Sequence, residues 1–190
     1  MEHHIFMAFS STWVIVIIVA IILLYIIYIF NRLITLRNRI NNAWSQIEVQ
    51  LKRRYDLIPN LVNSVKGYMK HEKSVLENIT KARSNMISGN MKEKAKANDM
   101  ISNALKTLFA VAENYPTLKA NENFKMLQEE LSGTEDKIAY SRQFYNDSVM
   151  EFNTKLQIFP NNVIGNILNF KEREFFNVEE KERKAVKVEF

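Results

Sequence analysis

No cysteine occurs in the 190 residues, which removes disulfide frameworks, thiolate metal sites, iron–sulfur clusters and cysteine nucleophiles together and leaves the redox compartment open. Glycine occurs four times and proline three times, far below ordinary usage. Sandwiches, barrels and doubly wound sheets need those residues in their turns, so the expected fold class is all-α. Only three histidines are present, and His3 and His4 precede a long apolar run. His71 is therefore the one imidazole available to the rest of the chain for acid/base work.

The chain does have one long stretch without charge. From Trp13 to Phe30 it reads WVIVIIVAIILLYIIYIF, with no charged residue, glycine or proline. Eighteen helical residues rise about 27 Å, close to the hydrocarbon thickness of a bilayer. Trp13 at one end and Tyr25, Tyr28 and Phe30 toward the other resemble interfacial aromatic belts. A cleaved signal peptide fits poorly, because no Lys or Arg precedes the run and Tyr28 to Arg32 offers no small-residue cleavage site. An uncleaved signal-anchor is expected. Arg32, Arg37 and Arg39 follow the run, so the positive-inside rule places the N-terminus outside and the C-terminal domain in the cytoplasm of a single-pass cell-membrane protein. Beyond residue 31 the chain carries 26 basic residues against 20 acidic ones. The three arginines read either as topology determinants alone or as contacts to anionic lipid.

After the anchor, apolar residues at Leu33, Leu36, Ile40, Trp44, Ile47, Leu51, Ile58, Val62, Val65 and Met69 step by threes and fours, the mark of an amphipathic helix continuing from the membrane. Pro59 is expected to kink or restart it by freeing the carbonyl of Tyr55, with a stop at Ser88-Gly89-Asn90. A second helix spans roughly 91–113 and ends at Asn114-Tyr115-Pro116. A third starts at the cap Asn121, carries Phe124, Leu127, Leu131, Ile138, Tyr145, Val149, Phe152 and Leu156, and closes at Phe159-Pro160. A shorter apolar piece around residues 163–170 covers one end. The expected division is a short extracytoplasmic N-terminus (1–12), the transmembrane helix (13–30), an antiparallel bundle of three or four long helices (31–170), and a charged tail (171–190) whose Phe175 and Phe176 point to docking of its first part.

The segment RRYDLIPNLVNSVKGYM, Arg53 to Met69 with Pro59 and Asn60 at its centre, closely resembles the signature of the LemA family of bacterial membrane-anchored proteins. Downstream, Tyr115-Pro116, Leu118, Lys119 and Ala120, then Phe124, Leu127, Leu131, Thr134-Glu135, Ile138, Arg142, Tyr145-Asn146, Val149, Asn153 and Phe159-Pro160 follow the same family's pattern in order. The likeness covers nearly the whole chain after Phe30, with Gly133 and the charged tail as local variation. It implies a single-pass membrane protein with an antiparallel helical bundle, in a family whose biochemical role is not established. It supplies no catalytic residues.

The residues themselves carry little chemistry. A di-iron bundle needs Glu-x-x-His pairs, but Tyr68 stands three before His71, and a zincin motif fails at Val75. The glycines are too scattered for a phosphate-cradling loop, and the basic residues are dispersed among acids without a recognition motif. No metal, cofactor or nucleic-acid partner is expected. Polar residues inside the apolar stripes are more informative. The three-four stepping passes through Arg54 in the first helix and through Glu135 and Arg142 in the last. A buried polar cluster of Arg54, Arg142 and Glu135, with Asp56 as a further acid, would fix helix register. The same region reads alternatively as a partner or ligand groove lined by Asp56, Asn60, Asn63, Arg142, Asn146 and Asn153. The function expected is a noncatalytic membrane-anchored scaffold or adaptor. Its partners would be the lipid bilayer and an unidentified protein, with a homo-oligomer as a further possibility. A sensor of anionic lipid is second and an unrecognised enzyme third.

Overall fold

The computed structural model describes residues 2–84 and 90–176, with side chains from residue 13 onward. Among the described residues all regular structure is helical: α1 (Glu2–Lys66), α2 (Lys73–Ser84), α3 (Met91–Ala112), α4 (Pro116–Lys119), α5 (Glu122–Gln157) and α6 (Asn161–Ile167). The all-α expectation holds. By compactness the chain divides into two units, one of Met1–Asn41 with Asp147–Glu174, the other of Asn42–Asn146 with Phe175–Phe190. Both α1 and α5 contribute to each.

Beyond the apolar run, the buried positions of α1 are Leu33, Leu36, Ile40, Ala43, Ile47, Leu51, Arg54, Ile58, Leu61 and Val65. Every step is three or four, so one face of a regular helix is covered throughout. The run Trp13–Phe30 behaves differently: nearly all its side chains are exposed, and Ile29 alone among them is buried. An apolar helix lying outside any protein core is what a lipid-embedded segment looks like. Among the described residues α1 is the one helix long and apolar enough to cross a membrane.

Pro59 lies within α1, which does not restart there, so of the two expected outcomes, a kink or a restart, the restart is excluded. The carbonyl of Tyr55, which loses its helical donor to the proline ring, accepts from Arg83 Nε of α2 at 3.1 Å, and the Arg83 guanidinium sits 3.8 Å from the centroid of the Tyr55 ring. The freed acceptor is satisfied by a second helix, so the local cost of Pro59 becomes a tertiary contact. The chain turns instead after Lys66. Tyr68 and Met69 both donate to Val65 O, and Met69 is drawn fully into the core before α2 begins. Of the expected stop, Ser88 and Gly89 lie outside the described residues. Asn90 is the N-cap of α3: its side chain accepts from Glu93 N at 3.1 Å, while its own N–H donates to the Glu93 carboxylate at 2.8 Å. Asn121 caps α5 by accepting from Phe124 N at 3.1 Å.

In the unit beginning at Asn42, Glu48 pairs with Lys94 and Arg54 with Asn98, so α1 and α3 run parallel. Arg142 reaches Asp99, Glu135 reaches Ser102, and Phe124 meets Phe109 edge-on, so α5 runs antiparallel to α3. The Arg83–Tyr55 bond and the turn at 67–72 set α2 antiparallel to α1. The result is an up-down-up-down bundle of α1, α2, α3 and α5, closed by Ile58, Leu61, Val65, Ile79, Ile101, Leu105, Leu108, Leu118, Phe124 and Leu131.

In the other unit, the α1 segment bearing Leu33, Leu36 and Ile40 packs with the end of α5, where Val149 and Phe152 are buried. Glu151 accepts from both Arg32 (2.6 Å) and Arg39 (2.9 Å).

Candidate functional site

Arg54 occupies a core position between Leu51 and Ile58 and is 0% exposed. Its Nη1 donates to Asn98 Oδ1 at 2.6 Å and to Ser102 Oγ at 3.1 Å, its Nη2 faces the Glu135 carboxylate as an ion pair, and Ser102 Oγ donates in turn to Glu135 at 2.9 Å. Arg54 Nε and Asn98 Nδ2, both buried, have no hydrogen-bond partner. Burial, followed by the nearby Arg142 charge, pushes the Arg54 guanidinium down to about 10, with Asp99 opposing the shift. It stays protonated at neutral pH, so a full positive charge sits inside the bundle with one carboxylate against it.

The four residues expected to form this cluster are distributed as follows. Arg54 and Glu135 meet. Arg142 instead pairs with Asp99 at 3.1 Å and places its guanidinium 4.6 Å from the centre of the Phe176 ring. Asp56 is not part of the cluster: it lies exposed on α1, paired with Lys52 one turn earlier at 3.0 Å. Arg54 already fills the seam position, and a residue two further on points elsewhere around the helix. Sequence reasoning missed the α3 members Asn98, Asp99 and Ser102. The signal available was that stepping back by three from the core residue Ile101 lands on Asn98. It also missed that the centre of the α5 stripe holds Thr134, Ser141 and Ser148, all buried. Glu135 and Arg142 each stand one residue beyond that line, next to Thr134 and Ser141.

The expected groove of asparagines is not open. The Asn146 side chain donates to Phe176 O (3.2 Å) and accepts from Phe176 N (2.8 Å). Asn153 does the same with Arg173 O and N, both at 2.9 Å. Each amide thus reads both backbone groups of one residue in the C-terminal segment. Phe176 is buried and its ring lies 5.9 Å from Trp44, which also meets Tyr145 edge-on at 5.9 Å. The charged tail expected from Lys171 therefore begins with a packed segment, and its remainder lies outside the described residues. Tyr115, just before Pro116, donates its hydroxyl to Glu72 Oε1 at 3.3 Å, tying the turn before α4 to the turn before α2. Desolvation, then the Glu72 charge and this bond, raise the Tyr115 phenol above its ordinary value. Asn60 is exposed, as is Asn63.

The three juxtamembrane arginines are largely engaged. Arg32 and Arg39 share Glu151, and the Arg37 guanidinium lies 5.8 Å from the centre of the Phe170 ring. Glu151 thus offsets one of the three positive charges.

An open groove does exist between the end of α1 and α2. Its volume is about 780 Å³. Val62, Met69 and Leu76 form its floor, while Lys66, Lys70, Lys73 and Lys81 stand around it with Glu77 as the one acid. Long lysines over an apolar floor suit a ligand that is apolar on one face and acidic on its edges. Among the described residues no group of three or more His, Asp or Glu side chains is placed to hold a metal ion.

The family model described as LemA family matches residues 43–190. Protein LemA of Metamycoplasma hominis is 30% identical over 166 residues, covering 84% of this chain and 74% of that protein. Magnetosome protein MamQ 2 of Paramagnetospirillum magneticum is 25% identical over 174 residues, and Magnetosome protein MamQ of Magnetospirillum gryphiswaldense 24% identical over 175. The chain spans 64% of the length of each of these two magnetosome proteins.

Proposed function

The chain belongs to the LemA family, and from that premise we propose that it is a noncatalytic, membrane-tethered adaptor that binds an acidic amphipathic helix of a protein partner in the groove between α1 and α2. In this reading the N-terminus is outside, α1 crosses the membrane, and the bundle works in the cytoplasm.

The observation that carries the proposal is the groove itself, with four lysines against one glutamate around an apolar floor. An amphipathic helix laid in such a groove buries its apolar face and sets its acids against the lysines. The buried Arg54 and the partly buried Glu135, Arg142 and Asp99 are already committed in the pairs Arg54–Glu135 and Arg142–Asp99, an arrangement that suits fixing helix register better than holding a substrate. The names of the relatives, a LemA protein and magnetosome proteins, denote no reaction and support a noncatalytic, membrane-associated role.

Photo-crosslinking residues at Asn63 and Thr80, used in intact membranes, test this. The expected result is a discrete adduct with another protein that disappears when Lys70 and Lys73 are both changed to Glu and persists when Arg53 is changed to Glu. An adduct only with a second copy of this chain, or one indifferent to the Lys70 and Lys73 reversals, would refute it.

A further inference from the structure

Between Lys155 and Lys171 the chain runs fifteen residues without a charge, Leu156 to Phe170, the longest such interval after the anchor. Folding half-buries Leu156, Ile164 and Phe170 but leaves the other apolar side chains open. Ile158, Phe159, Val163, Ile167 and Leu168 are all exposed, Phe159 at 81% and Ile167 at 77%. Single exposed apolar residues are ordinary, but five within eleven positions and without a charge among them form a patch.

The patch is fastened beside the end of the membrane segment. The Phe170 ring lies 6.2 Å from Phe30, the last residue of the apolar run, and 6.4 Å from Phe152 of α5, with Arg37 on it. Ile29, the buried residue of the anchor, shows that protein packing reaches into the run itself. Gly165 keeps α6 close to the end of α5: a Cβ there would fall 2.8 Å from Leu156 Cδ2. Phe30 marks the headgroup level of the bilayer, and Phe170, in contact with it, stands at the same level.

We infer that residues 156–170 form a second membrane contact, a short monotopic element lying in the headgroup and acyl boundary beside the Phe30 end of the anchor. The occupant of the exposed face is the bilayer that already holds α1. A segment carrying Phe and Ile on its open side, set beside a transmembrane helix at interfacial depth, can bury that apolar face at the headgroup and acyl boundary. The flanking Lys155 and Lys171 can reach the phosphates. The inference rests on the anchoring of α1 and is independent of the α1–α2 groove.

The absence of cysteine allows single-site labelling of the full chain. An environment-sensitive fluorophore is placed by F159C, by I167C, by I22C as the anchor reference and by M126C as an exposed reference, and each protein is reconstituted in vesicles of phosphatidylcholine and phosphatidylglycerol. Labels at 159 and 167 should emit to the blue of the label at 126, be about fivefold less accessible to aqueous iodide, and be quenched by lipids carrying a nitroxide near the headgroup. Iodide quenching at both 159 and 167 equal to that at 126 would overturn the inference, as would shielding without nitroxide-lipid quenching, which marks a protein cover such as a second copy. If the label at 22, at the middle of the apolar run, also escapes quenching by lipids carrying a nitroxide deep in the acyl chain, it is the anchor itself that fails. Two independent positions guard against a label that perturbs α6 locally.

Discussion

Replacing Glu135 with alanine strips Arg54 of the one carboxylate in contact with it, leaving the guanidinium buried with only the more distant Asp99 charge to favour it. With Arg54 pushed down to about 10 from the ordinary guanidinium value, its charged form is disfavoured inside the bundle by roughly 3 kcal/mol relative to water. Breaking a fully buried pair costs about 3–5 kcal/mol. Glu135 is itself 39% exposed and Asn98 and Ser102 still accept from Nη1, so the expected loss is about 2–3 kcal/mol. Arg54→Met removes the charge along with its desolvation and should leave stability within about 1 kcal/mol of the parent. The reciprocal pair, Arg54→Glu with Glu135→Arg, is the sharper test. Asn98 can turn its unpartnered amide nitrogen toward a carboxylate, and Arg142 lies near enough to favour one. The double variant should therefore exceed the sum of the singles by about 1–3 kcal/mol. Urea unfolding of the full chain in mild detergent, followed by far-UV circular dichroism, measures all four species. A coupling below about 0.5 kcal/mol, or Arg54→Met as damaging as Glu135→Ala, would refute the reasoning. The pH dependence has a defined sign. Because the folded value lies below the unfolded one, the penalty of the buried charge is fully present below about 10. It is relieved only as pH rises above that toward the unfolded value, so the difference between parent and Arg54→Met should be flat from about pH 5 to 9 and then move in the parent's favour.

Arg83→Ala should cost about 1–2 kcal/mol, by uncapping Tyr55 O and removing the guanidinium from the Tyr55 ring. In a Pro59→Ala background, where α1 supplies its own donor, the same change should cost at least about 0.5 kcal/mol less by urea unfolding; equal costs would show that Arg83 does not compensate for the proline. Asn146→Ala and Asn153→Ala should each expose the C-terminal segment, seen as faster amide exchange at Phe176 and Arg173 respectively, with a loss of about 1–2 kcal/mol; unchanged exchange would contradict the bidentate contacts. Asn90→Ala should lower stability by about 1 kcal/mol through loss of the capping box, whereas Asn90→Ser should restore most of it.

What was open to sequence reasoning here is what depends on local composition and period. A charge-free apolar run of bilayer length, helices with stripes at three and four, and the cap at Asn121 are each decided within a few residues of chain. Arg54 could be placed on the seam because its neighbours Leu51 and Ile58 fix the phase of α1. Its partners on α3 could not, since nothing local says which helix will lie opposite, and a buried Asn98 looks the same in sequence as a solvated one. Pro59 shows the limit most directly. Local rules assign it a kink or a restart, and they cannot foresee the arginine that arrives from α2 to take up the Tyr55 carbonyl of an uninterrupted α1. Asn146 and Asn153 read as candidates for an open groove, yet the C-terminal segment returns to satisfy both amides. Periodicity along one chain determines which face of a helix is buried. Which groups then meet across that face is decided by packing between residues tens of positions apart, and desolvated polar groups must find their partners there.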